Sequence, residues 1–170
     1  FGQLDRLSAR RHALKPLTME ACGQSYGFIN YRTVIDGPAE ENLYFPEVRD
    51  RVSAYLDGEY LGTVYRNDAN RRIPFRLKKE TAVLDLLVEN TGRINYGPLV
   101  GRDLKGLPLG VCIGWQSQIE FDIWNLELDD ISKVEYGEYR NAKEVPAFHR
   151  GYFEAEAGAD TFVRIPGVKG

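Results

Sequence analysis

Glu154 and Glu156, two positions apart, are the nearest this chain comes to a pair of working carboxylates. On an extended strand they would share one face. A glycosidase acid and its partner carboxylate need a separation of roughly 5–9 Å in a cleft that moves their pKa values apart. Two glutamates on a terminal strand are more often a solvated face. The stretch 90–106 is the richer candidate. It follows the most apolar segment of the chain and combines Gly92, Gly97, Gly101, Gly106 and Pro98 with Arg93, Asn95, Tyr96, Arg102 and Asp103. A long loop without structure of its own usually has a function or is disordered. An aromatic ring flanked by an amide and arginines suits a polar ligand that wants a stacking face and fixed hydrogen-bond partners, as a sugar does. A plain turn, in which Asn95 and Gly97 satisfy only backbone geometry, is the competing reading. Trp115 and Trp124 could also stack on a sugar, although tryptophan more often packs in a core or an interdomain contact. Trp124 breaks the polar side of its strand, so cover from another domain is expected there.

Other chemistry is missing. Asp129 and Asp130 with Glu135 and Glu138 lack the spacing of a calcium loop. His12 and His149 are far apart and have no Cys or Asp cluster beside them, so no zinc pattern arises. The sequence has no nucleophile elbow and no phosphate-loop or dinucleotide fingerprint. No metal, no cofactor and no catalytic constellation are expected.

The elements that must position these residues are strands. From residue 26 the apolar period is two. Segments 26–34, 43–48, 51–56, 59–65, 73–77, 81–89, 110–115, 118–128, 148–156 and 161–165 read as strands, separated by turn clusters such as Asp36-Gly37-Pro38 and the hairpin signal Asp57-Gly58. Segment 81–89 is nearly all apolar, as a central strand of a sandwich is. Many short strands at close spacing predict an all-β sandwich or jelly roll. The expected organisation is a basic leader over 1–20 with at most a helical turn, a first β-sandwich domain over 21–128, a charged linker over 129–145, and the start of a second, incomplete β-domain over 146–170.

With 170 residues, the chain has room for about one domain of roughly 150 residues and some excess. Its net charge of -3 gives no reason to expect a nucleic-acid partner, which needs clustered Lys and Arg. No apolar run reaches the ~18 residues of a membrane span, so no membrane partner is expected either. Cys22 and Cys112 read as two free thiols of a reducing compartment, and a cytoplasmic location is the matching expectation. Residues 1–14 lack a secretion-signal pattern. The chain opens at Phe1, has its one methionine at Met19, and reads as a piece of a longer protein.

Several segments, in order, carry a family resemblance. They are Lys15-Pro-Leu-Thr-Met-Glu20, Gly23-Gln-Ser-Tyr-Gly27 and Tyr31-Arg-Thr33; Val48-Arg-Asp-Arg51, Asp57-Gly-Glu-Tyr-Leu-Gly-Thr63 and Tyr65-Arg66; and, most specifically, Leu84-Asp-Leu-Leu-Val-Glu-Asn-Thr-Gly-Arg-Ile-Asn-Tyr-Gly97. Gly101-Arg-Asp103, Lys105-Gly106, Ala147-Phe-His-Arg-Gly151 and Ala159-Asp-Thr-Phe-Val-Arg-Ile-Pro-Gly167 continue it. Together they resemble the region downstream of the catalytic barrel in β-galactosidases of glycoside hydrolase family 35. The resemblance implies a C-terminal, galactose-binding-like jelly roll packed beside a (β/α)8 barrel that precedes Phe1. It implies a retaining enzyme that removes terminal non-reducing β-galactosyl residues, with both catalytic glutamates on that barrel and none here. Tyr96, supported by Asn95 and Arg93, would then wall the substrate pocket, and Trp115 or Trp124 would pack on the barrel. The fragment alone is expected to be non-catalytic. An independent carbohydrate-binding module is the alternative, and a self-sufficient hydrolase built on Glu154 and Glu156 is the least supported.

Overall fold

In a computed structural model, which describes residues 1–138, 146–155, 158, 160, 162 and 164, the period-two segments close into two antiparallel sheets. The described elements are α1 (Leu4–Leu7), β1 (Arg11–Ala13), β2 (Phe28–Asp36), β3 (Ala39–Tyr44), β4 (Arg51–Leu56), β5 (Glu59–Tyr65), β6 (Arg72–Leu77), β7 (Thr81–Glu89), β8 (Cys112–Ile113), β9 (Gln116–Ser117) and β10 (Phe121–Leu126). One sheet has the order β1-β10-β2-β7-β4-β5 and the other β6-β3-β8-β9. This is an all-β sandwich, as the strand pattern predicts.

The alternation explains the layers. Along β7, Ala82, Leu84, Leu86 and Val88 point into the sandwich, where they meet Ile29, Tyr31 and Ile35 of β2 and Leu43, Ile73 and Phe75 from the facing sheet. At roughly 25 cal/mol per Å² of apolar surface, such burial is the main force closing the two layers. The Asp57-Gly58 turn has positive φ at both residues, 50° and 83°, as a two-residue hairpin between right-twisted strands requires. Pro74 sits on β6, an edge strand, where a missing N–H is tolerated.

Four expectations are corrected. The leader is not featureless: β1 adds to the long sheet beside β10, pairing Arg11 with Ile123 and Ala13 with Phe121. Its three polar or small residues carry no apolar alternation and so no strand signal. β3 lies at 39–44 rather than 43–48; its consecutive exposed residues Glu40-Glu41-Asn42 lack the apolar alternation that marks a strand. The expected strands 110–115 and 118–128 are three shorter ones, a small β8–β9 hairpin around the Gly114-Trp115 turn and then β10. Residues 148–155 form no strand, so Glu154 does not stand on a strand face; Glu156 lies outside the described residues.

The outer face of the long sheet has its own small core. Leu4 of α1 packs on Trp124 and Leu126, flanked by Phe1, Leu7, Phe28, Leu87 and Leu128. Trp124 is 2% exposed, and its indole Nε1 donates to Asp5 Oδ1 at 2.8 Å. The break in the polar side of β10 is therefore covered by the chain's own N-terminal turn.

Candidate functional site

The loop 90–106 leaves the end of β7 and returns to the sandwich at Gly106, which bridges to Arg49 just ahead of β4. Both of its ends are fastened. On the outgoing side, Asn90 N–H donates to Gly27 O at 3.1 Å and Thr91 N–H to Asp50 Oδ2 at 3.1 Å. Arg93 folds back over the segment before β2. Its Nε donates to Ser25 O at 2.7 Å, and one of its terminal nitrogens pairs with Glu20. Burial raises the Glu20 carboxyl, but the bonds from Arg93 and from backbone N–H groups, that of Lys105 included, hold it below the usual carboxylate value.

On the returning side the sequence has placed a lysine in the interior. Lys105 is fully buried, and its ammonium lies 2.9 and 2.8 Å from the two oxygens of Asp50 and 2.8 Å from Asp103 Oδ2. Arg66, at the end of the β4–β5 hairpin, reaches Asp50 Oδ1 at 2.8 Å and Asp103 Oδ1 at 2.9 Å. Arg49 reaches Asp103 Oδ1 at 2.8 Å and pairs with Glu47. Three cations (Arg49, Arg66, Lys105) thus face three carboxylates (Glu47, Asp50, Asp103), and the cluster is neutral. Burial pushes the Asp103 carboxyl up, yet the hydrogen bonds and charges of Arg66 and Lys105 outweigh it and hold it at about 2. Such pairing is what allows a charge to sit in the interior at all.

Gly106 closes the loop for a steric reason. Its φ is 110°, and a Cβ there would lie 2.3 Å from the Tyr31 hydroxyl. That hydroxyl donates to Leu17 O at 2.7 Å, so it is not free to move aside.

Between these fastenings the tip is open. Tyr96 is 91% exposed, and Leu99, Val100 and Leu104 are more than two-fifths exposed. Asn95 is exposed beside Tyr96. Two turns shape the tip: Val100 N–H donates to Gly97 O and Arg102 N–H to Leu99 O. Of the residues singled out in the sequence, the structure keeps Asn95 and Tyr96 together on the tip and directs Arg93 into the base. Trp115, at the β8–β9 turn, is 100% exposed and belongs to a different part of the surface.

Lys105, Asp50 and Arg66 were not legible as a cluster. A signal did exist: these charges lie in the quoted segments Val48–Arg51, Tyr65-Arg66 and Gly101–Gly106, and Lys105 is followed by apolar Leu107. Among the described residues, no group of three His, Cys, Asp or Glu could hold a metal ion. His12 pairs with Asp122 on the exposed side of β1, with Nδ1 to Oδ1 at 3.2 Å. Cys22 and Cys112 are free thiols. No helix of the described residues is long and apolar enough to cross a membrane.

A family model described as the first all-beta domain of beta-galactosidase matches residues 16–127, which run from just after β1 to the end of β10. The chain belongs to this β-galactosidase domain family. The β-galactosidase of Xanthomonas manihotis is 34% identical over 148 residues, covering 87% of this chain and 25% of that protein. Those of Pongo abelii and Homo sapiens are each 31% identical over 180 residues, covering 91% of this chain and 26% of theirs. The chain thus spans about a quarter of the length of the curated relatives it matches. The β-galactosidase domain family matches over all of the fastened loop, tip and base.

Proposed function

We propose that this chain is the non-catalytic accessory sandwich of a retaining β-galactosidase of glycoside hydrolase family 35. A (β/α)8 barrel of the same parent chain removes terminal non-reducing β-galactosyl residues, and the sandwich braces it. The tip of the 90–106 loop walls the barrel's substrate pocket, with Tyr96 as the aromatic face and Asn95 beside it. Arg93 acts indirectly, through Glu20 and Ser25. Trp115 is a second contact with the barrel. The fold reading within this proposal is a galactose-binding-like jelly roll.

The observation that carries the proposal is the contrast within one loop. Its base is bonded to the sandwich on both sides, while Tyr96, Leu99 and Val100 stand in solvent. Apolar side chains exposed close together on one loop are what a contact with another surface would cover. The kinship with β-galactosidases supports reading that contact as one within such an enzyme.

The test is Tyr96→Ala in the full-length enzyme, measured on galactosides with small and large leaving groups. A pocket wall contributes binding that depends on what lies beyond the galactose. The ratio of kcat/KM between the two substrates should therefore shift by about fivefold or more. Identical kinetics on both would refute the wall.

A further inference from the structure

The Asp50–Lys105–Asp103–Arg66 cluster is a costly way to hold a loop. Taking charges out of water carries a large penalty, and well-packed apolar residues of similar volume often stabilise as much or more. What an ionic cluster supplies, and an apolar patch does not, is direction. Lys105 touches both oxygens of Asp50 and one of Asp103. Arg66 spans the same two carboxylates from the end of β5. Asp50 Oδ2 also takes Thr91 N–H and the Thr91 hydroxyl at 3.1 and 3.2 Å. One aspartate at the foot of β4 therefore grips the loop where it leaves the sandwich, through Thr91, and where it returns, through Lys105. The loop cannot shift along the sandwich without breaking the Thr91–Asp50 hydrogen bonds or the buried Lys105 ion contacts.

We infer that this cluster is a positioning device: Asp50, Asp103, Lys105 and Arg66 set where Tyr96 stands, and through it the leaving-group preference of the enzyme. None of the four touches the tip's outer face; they act through the loop backbone. The inference rests on the proposed role of Tyr96 for its effect on catalysis, but its mechanical part stands on this chain alone.

The experiment is a substitution cycle in the full-length enzyme with Asp103→Asn/Lys105→Met, a pair that removes one charge of each sign and leaves two cations facing two carboxylates. Assays are run well below the lowest Tm of the set. If the cluster positions Tyr96, the pair alone shifts the small-to-large leaving-group ratio of kcat/KM in the same direction as Tyr96→Ala. Adding Tyr96→Ala to the pair then changes the ratio by less than about twofold, because contacts coupled through one element are not additive. An undiminished Tyr96→Ala effect in the pair background would overturn the inference and leave the cluster a stabilising feature only. Arg66→Gln, at the rim of the cluster, serves as the milder variant if the pair does not fold.

Hydrogen exchange on the 170-residue chain separates the two ideas. The pair should speed exchange at Val100 and Arg102, the two hydrogen-bonded amides of the tip, by about tenfold or more, and leave β2 and β7 unchanged. If Tyr96→Ala has no kinetic effect in the native background, the wall proposal fails, and this exchange result alone decides the inference. Unchanged exchange at Val100 and Arg102 would overturn it.

Discussion

The base and the tip of the 90–106 loop are adjacent in sequence and opposite in character. The base carries Asp103 and the fully buried Lys105, which the sandwich grips through Asp50, Arg66 and Arg49. The tip contains a tyrosine, two aliphatic side chains and glycines, and they face solvent. Stability and presentation are thus assigned to different residues of one loop. Substitutions in the base should cost folding free energy, and substitutions in the tip should cost almost none. That division is what a surface needs if it is to meet a site completed by another part of the protein.

The largest effect is expected at Lys105. Lys105→Met leaves Asp50 and Asp103 buried with one cation fewer, and removing one partner of a buried pair typically costs about 3–5 kcal/mol. Denaturant unfolding of the isolated chain checks it. A loss under about 1 kcal/mol would mean that water reaches the cluster and that base and tip differ less than argued.

Gly106→Ala comes next. It places a Cβ against the Tyr31 hydroxyl and asks an L-residue to adopt a φ of 110°. Backbone strain of this kind costs on the order of 1–3 kcal/mol before the clash is added. Adding Tyr31→Phe removes the hydroxyl that the Cβ meets and should return part of the lost Tm. No recovery in the double variant would show that φ, and not the close approach, fixes glycine here.

Acid gives a third measure. Asp103 is held at about 2 in the folded chain against an ordinary value of 3.8. A carboxyl lowered by folding contributes stability that is complete above the unfolded value and lost as pH falls through the folded one. Its share, on the order of 2 kcal/mol, should therefore persist down to about pH 4 and fade between pH 4 and 2. In Asp103→Asn the same window should be flatter; an identical slope would take Asp103 out of the account.

The smallest effect belongs to the tip. Tyr96→Ala should change the stability of the chain by no more than about 0.5 kcal/mol, as exposed substitutions generally do. A larger loss would mean that Tyr96 packs on its own chain and is not free to face another body.

Much of this fold was legible because the strands obey simple alternation. β4, β5 and β7 are read at their observed bounds from Val52-Ala54-Leu56, from Asp57-Gly58 and from the apolar run after Thr81. β1 and β3 were not, since their pairing is decided by neighbours in the sheet and their own residues are largely polar. The candidate site divides in the same way. Composition drew attention to the tip, with its glycines around an aromatic ring. It did not reveal the base, because the burial of Lys105 depends on Asp50, which is 55 positions away in sequence. Trp124 shows the intermediate case: the sequence exposed an anomaly on β10, and only the fold shows that α1 covers it.

The most direct test of the central claim is a calorimetric titration of the folded 170-residue chain with galactose and lactose. If the sandwich presents Tyr96 to a site completed elsewhere, neither sugar should give saturable heat. Clear saturable binding, lost in Tyr96→Ala, would contradict that claim and make the chain a carbohydrate-binding module in its own right.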